Sequence, residues 1–226
     1  MQNRYNDQLR IGNQAIINLE PSNLVHKIEA SFEIKKLLGN KHKVLEIGIG
    51  EGDFTKYILK NNEDLSIDAL DISIEMIGVA KEVLSQYLGR VSFICRDSLE
   101  YLNNQSIKYD IIASSWTIHN FKWEHKNELF RAIYKNLNND GKLIIIDKIY
   151  PDDKKEQMKL LEIQLNRYKK YIGDTLKDII SHEEQDYQEV YRMAESQTVE
   201  ALKAVGFSKV IVLDRIERDI ILIASK

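Results

Sequence analysis

Short apolar runs that alternate with helical segments constrain the fold of this chain more than any other feature. The apolar runs are KVLEIG (43–48), SIDALD (66–71), VSFIC (91–95), YDIIASS (109–115) and KLIIID (142–147). Segments with apolar residues at helical spacing lie between them: DFTKYILKN (53–61), SIEMIGVAKEVLSQYL (73–88) and EHKNELFRAIYKNL (124–137). Strands alternating with helices predict βαβ units, and therefore a parallel sheet with helices on both faces.

The flanking segments extend this pattern. A leading helix is expected after Pro21, and Gly39-Asn40 supplies its stop. Residues 139–141, Asn-Asp-Gly, predict a turn into the fifth strand. A last helix (196–207) precedes two strands, 209–214 and 218–225, whose short link predicts a hairpin. The chain is therefore expected to form a doubly wound, Rossmann-like, seven-stranded α/β sheet, mostly parallel with one antiparallel edge hairpin.

The length and charge of the chain limit the functions that it can have. With 226 residues, the chain is expected to form one domain over 1–226, with an N-terminal helical cap (1–40) and a charged helical insertion (150–192). The 32 basic and 35 acidic residues nearly cancel, so no global field attracts nucleic acid. A single cysteine, Cys95, argues against disulfides and structural zinc. We expect a cytoplasmic protein, since no secretion signal or membrane-spanning run is evident. We expect it to be a monomer or homodimer.

The stretch VLEIGIGEGDFT (44–55) carries the strongest functional signal. Gly48, Gly50 and Gly52 follow a strand and precede a helix, where a backbone without Cβ atoms lets a ligand approach closely. Asp53 stands where a dinucleotide loop needs its third glycine, and no Lys-Ser or Lys-Thr pair follows, as a phosphate loop requires. The nearby carboxylates, Glu46 among them, suit a ligand with an ammonium or sulfonium group. A tight turn without a ligand is the alternative reading of these glycines.

Five segments in order resemble the motifs of class I S-adenosylmethionine-dependent methyltransferases. They are VLEIGIGEG (44–52), ALDIS (69–73), VSFICRDSLEYL (91–102), YDIIASSWTIHNF (109–121) and NLNNDGKLIIID (136–147). The resemblance covers roughly residues 40–150 and 196–225, and its specificity lies in the order of the motifs. It implies S-adenosyl-L-methionine as cofactor, S-adenosyl-L-homocysteine as product, and the insertion as a lid over the acceptor.

The resemblance also implies a cofactor site. Gly48 and Gly50 would contact the methionine moiety, with Glu46 near its ammonium, and Asp71 would accept hydrogen bonds from the ribose hydroxyls. Asp97 would accept from the adenine amino group. The other expected cofactor contacts are Ile72, Ser98, Leu99 and Ser114. Asp71 as a simple helix cap is the alternative reading.

The acceptor is expected to be a small molecule methylated on oxygen or nitrogen. His119, just after the fourth strand, is the candidate general base, with packing under the loop as the alternative. The candidate pocket residues, with ordinary packing again the alternative for the aromatic ones, are Trp116, Asn120, Asp147, Tyr150 and Tyr168. No metal is expected, because HEEQD (182–186) lacks a second histidine at ligand spacing and reads as a surface run.

Two other functions remain open. Carboxy-S-adenosylmethionine synthases have a similar fourth-motif segment, helical insertion and AGF-like ending, but their insertion carries an arginine for the extra carboxylate, without a convincing match near SHEEQDYQ (181–188). A non-catalytic module that only binds the cofactor is the other alternative. The acidic residues at positions 46, 71 and 97 argue against loss of binding.

Overall fold

The computed structural model describes residues 19–39, 43–171 and 176–226. Its helices are α1 (Pro21–Leu38), α2 (Asp53–Asn61), α3 (Ile74–Val83), α4 (Ser98–Asn103), α5 (Trp123–Asn136), α6 (Lys154–Tyr171), α7 (Leu176–Asp186) and α8 (Glu195–Val205). Its strands are β1 (Lys43–Ile47), β2 (Ser66–Asp71), β3 (Val91–Cys95), β4 (Tyr109–Ser115), β5 (Leu137–Tyr150), β6 (Met193–Ala194), β7 (Lys209–Ile216) and β8 (Asp219–Ser225). Short 3₁₀ turns cover Ser85–Arg90 and Ile118–Asn120. Most of the predicted cap, residues 1–18, lies outside the described residues.

The sheet confirms the predicted α/β fold. Its strand order is β3-β2-β1-β4-β5-β8-β7, and the two-residue β6 pairs with β5 as an eighth strand. The strands from β3 to β5 pair in parallel, whereas β8 runs antiparallel to both β5 and β7. The chain order reverses between β1 and β4, and open α/β sheets bind ligands at the carboxyl ends beside such a switch point.

Apolar layers on both faces of the sheet stabilise it. One cluster includes Phe130 and Ile133 of α5, which pack with Leu45 and Ile112 of the sheet. The other includes Ile34 of α1, which packs with residues of α2, α3 and the opposite sheet face. Successive side chains of a strand point to opposite faces, so β1 and β4 contribute to both clusters. The apolar runs are buried because helices cover both faces.

The structure corrects several predicted boundaries. The turn predicted at 139–141 lies within β5, where the pairing register shifts between Tyr109 and Ile111 of β4. The hairpin turn falls at residues 217–218, and the edge strand is β7, while the antiparallel β8 lies inside. The insertion forms α6 and α7. Among the described residues, no helix has the length and apolar character needed to cross a membrane.

Candidate functional site

A cleft of about 670 Å³ lies at the carboxyl ends of the parallel strands. Its wall includes most of the cofactor residues predicted from the sequence: Glu46, Gly48, Gly50, Asp71, Ile72, Asp97 and Ser98. Two of the predicted acceptor residues, Trp116 and Asn120, also line it. We call this space the cleft throughout.

The glycine loop has a backbone that only glycine accommodates easily. Gly48 has a φ of +75°, and a Cβ on it would lie 2.1 Å from Oγ1 of Thr117. The backbone N–H of Gly48 donates to the carbonyl of Leu70 at 2.7 Å, which fixes the loop against β2. Gly50, with a φ of +51°, has open space at its Cβ position. Position 48 therefore requires glycine because a Cβ there would overlap Thr117. Position 50 favours glycine because its φ is positive.

Asp71 connects the loop to the second strand. Its Oδ2 accepts from the N–H of Gly50 at 2.9 Å, and its Oδ1 accepts from the N–H of Ser73 at 2.9 Å. Ser73, not Asp71, provides the side chain that caps α3. Burial raises the pKa of Asp71, while these backbone donors oppose that rise. A carboxylate oxygen has lone pairs beyond one hydrogen bond, so Asp71 retains capacity to accept from a ligand in the cleft.

Glu46 is a buried acid at the base of the cleft. Only 1% of its surface is exposed, and its carboxylate accepts from the hydroxyl of Thr55. Burial raises its pKa to about 8, because desolvation penalises the ionised form more than the Thr55 hydrogen bond and nearby Lys27 favour it. A cationic group in the cleft would favour the ionised carboxylate and lower this pKa.

Asp97 and Ser98 begin α4 at the end of β3. Oδ1 of Asp97 accepts from the N–H groups of Leu99 and Glu100, at 2.9 and 3.0 Å, so this aspartate caps the helix. Its other oxygen is not used in this cap. The hydroxyl of Ser98 is buried without a hydrogen-bond partner among the described residues, although the residue lines the cleft. Ile72, 55% exposed, presents an apolar side chain on the same wall.

Two predicted cofactor residues lie elsewhere. Ser114 is fully buried, and its hydroxyl donates to the carbonyl of Ile47 at 3.1 Å, bridging β4 and β1. Leu99 packs against the apolar cluster that contains Phe130. Neither residue is part of the cleft wall, which corrects the expected placement of both. Leu99 follows Ser98, which does line the cleft, but the side chain of Leu99 lies on the face of α4 that packs on the core.

Sequence reasoning missed two cleft residues from α1, Asn23 and Lys27. Lys27 is 8% exposed, and its ammonium lies 3.8 Å from Oδ2 of Asp53, too far for a hydrogen bond. Burial lowers its pKa, although Asp53 and Glu46 partly oppose that effect. A buried cation beside a polar ligand site was not evident from the sequence, because α1 precedes the first motif and its helical pattern indicates only packing.

Three predicted pocket residues, Tyr150, Tyr168 and Asp147, and the candidate base His119 lie outside the cleft wall. Tyr150 and Tyr168 are buried; the Tyr150 hydroxyl accepts from Arg218 at 3.3 Å, and the Tyr168 hydroxyl donates to Glu20. His119 and Asp147 form a pair, with 2.5 Å between Nδ1 and Oδ1. Their expected placement in the substrate pocket is therefore corrected. Trp116, which does line the cleft, has a φ of +51°, a strained conformation for a bulky residue.

His119 and Asp147 belong to a buried polar cluster, which we define as His119, Asp147, Lys148, His182, Glu183, Asp186 and Arg218. Lys148 donates to Glu183 at 2.8 Å and to Asp186 at 2.9 Å. Arg218 donates to the other oxygen of Glu183 at 2.5 Å. Glu183 and Asp186 are 2% and 3% exposed, so the predicted surface run HEEQD is wrong for these two residues. Buried charges require such partners because desolvation is costly.

The comparisons with known proteins agree with this geometry. Residues 44–141 match the family model described as a methyltransferase domain. The carboxy-S-adenosyl-L-methionine synthase of Nautilia profundicola is 27% identical over 182 residues, which cover 80% of this chain and 76% of that protein. Malonyl-[acyl-carrier protein] O-methyltransferase 1 of Ilyobacter polytropus is 38% identical over 104 residues, 46% of this chain and 37% of that protein.

Among solved structures, the pyocyanin biosynthetic protein PhzM superposes with a TM-score of 0.64 at 21% sequence identity, covering 87% of this chain. The match covers 54% of PhzM, so the chain spans about half the length of this structure. At that identity the likeness shows the fold. The sheet order, the glycine loop and the matched domain thus define a Rossmann-like methyltransferase fold. Residues 44–141 thus form a methyltransferase domain, and the chain is similar to S-adenosylmethionine-dependent enzymes.

Proposed function

We propose that the protein transfers the methyl group of S-adenosylmethionine by in-line displacement to an oxygen or nitrogen of a small molecule. The observation that carries this proposal is the arrangement of Glu46, Gly48 and Asp71 around one cleft at the switch point of the sheet. Glu46 would face the ammonium of the methionine moiety, and Asp71 would accept from the ribose hydroxyls. Asp97, through the oxygen that does not cap α4, would accept from the adenine amino group.

The methionine moiety is a zwitterion, and the cleft offers a complementary pair of charges. Lys27 and Glu46 both line the cleft and interact electrostatically. We assign Lys27 to the carboxylate of the methionine moiety and Glu46 to its ammonium. The buried ammonium of Lys27 lies 3.8 Å from Oδ2 of Asp53 and would gain a closer anion when the cofactor binds.

The chemistry of the transfer relies mainly on alignment. The sulfonium is already an activated leaving group, so holding the acceptor in line with the methyl supplies much of the rate. Trp116 and Asn120 would form the wall beside the acceptor, and Tyr191, at the end of the insertion, would face it from the lid side. Nε2 of His119 faces Asp186 rather than the cleft, so the proposal does not depend on His119 as a general base.

Carboxy-S-adenosylmethionine synthesis is the second candidate, and the relative in Nautilia profundicola favours it. Such an enzyme needs a cation for the added carboxylate. The described arginines of the insertion do not line the cleft: Arg167 pairs with Glu20 and Glu217, and Arg192 lies over the ring of Tyr187. The cleft cations come instead from α1, the β3 end and the β4–α5 connection: Lys27, Arg96 and Lys122. Because the arginine expected in the insertion of that family has no counterpart on the cleft wall among the described residues, we favour methyl transfer.

Mass spectrometry of the small molecules that co-purify with the protein tests both candidates. We expect S-adenosylmethionine or S-adenosylhomocysteine, and titration calorimetry with S-adenosylhomocysteine should give saturable binding. Asp71→Ala is the matched control, since it removes the proposed ribose acceptor. Carboxy-S-adenosylmethionine as the bound species would favour the second candidate, and no binding to the wild-type protein would exclude both.

A further inference from the structure

The buried polar cluster contains three groups with the geometry of a metal site. His119, His182 and Asp186 each present one ligand atom, and these atoms lie within 4.8 Å of one another. Nε2 of His119 is 3.7 Å from Oδ2 of Asp186, and Nε2 of His182 is 3.6 Å from the same oxygen. Both separations are too long for hydrogen bonds. Ligands about 2.1 Å from a zinc ion at tetrahedral angles are about 3.4 Å apart, close to these distances.

The orientation of His119 matches that of a metal ligand. Nδ1 of its ring contacts Oδ1 of Asp147 at 2.5 Å, and the backbone N–H groups of Ile118 and His119 donate to Oδ2, at 2.8 and 3.1 Å. A carboxylate at Nδ1 keeps the proton there and directs the lone pair of Nε2 toward Asp186. Metal-binding histidines commonly have this support, a carboxylate that accepts from the nitrogen not bound to the metal.

His182 and Asp186 are four residues apart on α7, so they lie on one face of that helix. His182 has a pKa lowered to about 4, mainly because burial disfavours its charged form. Three electron-pair donors from two distant parts of the chain thus converge at one buried point.

The charges around this point include both signs. Lys148 donates to Oδ2 of Asp186, and Arg218 pairs with Glu183. These two cations pair with Glu183 and Asp186, whereas the carboxylate of Asp147 contacts His119. The cluster as defined therefore has three carboxylates and two permanent cations, which leaves an excess of negative charge. A carboxylate has two oxygens and about four lone pairs, so Asp186 is able to accept from Lys148 and also ligate a cation.

We propose that His119, His182 and Asp186 bind a divalent first-row transition metal such as Zn²⁺. Two imidazoles and one carboxylate suit these ions rather than Mg²⁺ or Ca²⁺, which prefer oxygen ligands. The metal would join α7 to the turn after β4, beside Trp116 in the cleft wall; the His119 and Trp116 ring centroids are 6.5 Å apart. It would hold the insertion against the end of the sheet. The second histidine missing from HEEQD is supplied from position 119.

The test is metal binding by the purified full-length protein. After saturation with Zn²⁺ and removal of the excess, we expect one zinc per chain by elemental analysis, and a rise in melting temperature. His182→Ala should weaken zinc binding roughly 10–100-fold or more, since even the loss of an outer partner has that effect. His125→Ala is the control, because His125 stacks on Phe121 outside the three ligands, and should retain zinc. Equal zinc binding by His182→Ala and wild type would overturn the proposal.

X-ray absorption at the zinc edge provides a second test, which needs no variant to fold. A nitrogen and oxygen shell with two imidazoles is expected, whereas a sulfur ligand would place the zinc at Cys95 and overturn the assignment. Wild-type protein without stoichiometric zinc would overturn it as well. None of these measurements uses the cofactor, so failure of the proposed methyl transfer would leave them unchanged.

Discussion

The cleft and the buried polar cluster lie side by side at the carboxyl end of the sheet, but they are built in different ways. The cleft takes its main carboxylates from single positions at the ends of consecutive strands, with Glu46 in β1 and Asp71 ending β2. The cluster joins residues of β5, α7 and the β7–β8 turn that are far apart in sequence. We infer that the cleft serves ligand binding, whereas the cluster stabilises the insertion.

This difference predicts that variants separate into two groups. Changes in the cleft should reduce cofactor affinity and leave the free energy of unfolding nearly unchanged. Changes in the cluster should reduce the free energy of unfolding with little effect on cofactor affinity. Gly48 and Glu46 are exceptions within the cleft, because Gly48 also has a steric role in the fold and the raised pKa of Glu46 makes a pH-dependent contribution to stability.

The largest effect is expected for Arg218→Met in the cluster. Arg218 is 2% exposed and pairs with Glu183 at 2.5 Å and Glu20 at 3.4 Å, so its loss leaves two buried carboxylates without this cation. The free energy of unfolding should fall by about 3–5 kcal/mol in urea titrations. Lys36→Met, which breaks an exposed pair with Glu33, should change it by less than about 0.5 kcal/mol. Similar losses for the two variants would contradict a stabilising cluster.

Gly48→Ala should have the next largest effect. A Cβ at position 48 would overlap Thr117, and the φ of +75° disfavours any L side chain. Strain and overpacking should together cost about 2–5 kcal/mol of unfolding free energy, and calorimetry should detect weaker S-adenosylhomocysteine binding. Gly50→Ala also places an L side chain at a positive φ, but its Cβ meets no other atom, so this variant should lose less stability. A larger loss at position 50 would contradict the role of Thr117.

The fold and the strand-end carboxylates of the cleft were predictable from the sequence because their signals are local. Each apolar run marks a strand, and a carboxylate at a strand end lies at the binding edge wherever the parallel sheet forms. His119 and Asp147 also follow strand ends, but the sequence does not show the directions in which their side chains point. Lys27 and the burial of Glu183 depend on how α1 and α7 pack, and periodicity does not reveal the contacts between distant helices.

Asp71→Asn tests the proposed ribose contact. The amide keeps the shape of the side chain, but one oxygen acceptor becomes a donor. We expect S-adenosylhomocysteine to bind roughly 10–100-fold more weakly by calorimetry, as is typical for hydrogen bonds to a charged group. Asp68→Asn, in the middle of the same strand and outside the cleft, should bind within about twofold of wild type. Unchanged affinity of Asp71→Asn would remove the ribose assignment.

Lys27→Met tests the assignment of the methionine carboxylate. Methionine keeps the apolar stem of the side chain and removes the ammonium. Binding of S-adenosylhomocysteine should weaken about tenfold. Binding of 5′-methylthioadenosine, which lacks the amino-acid portion, should remain within about twofold, since it has no carboxylate to lose. Equal weakening of both ligands would indicate that Lys27 acts on the shape of the cleft and not on that carboxylate.

The smallest effect concerns the proton on Glu46. Burial raises its pKa from 4.5 to about 8 in the free protein, so the carboxyl group is largely protonated at pH 7. For an acid whose folded-state pKa is raised, the contribution to stability is present below pH 4.5 and is lost as the pH rises toward 8. Glu46→Gln should therefore show a smaller decline in unfolding free energy across this pH range.

Binding of the cofactor should remove the proton that Glu46 carries in the free protein. The ammonium of the methionine moiety would favour the ionised form of Glu46 and lower its pKa, so binding at pH 7 should release a fraction of one proton. Calorimetry in buffers of different ionisation enthalpy measures this release, and the affinity should rise as the pH approaches 8. Glu46→Gln should bind without proton release. Release of the same size from Glu46→Gln and wild type would mean that another group titrates, and that the cleft does not hold the ammonium at Glu46.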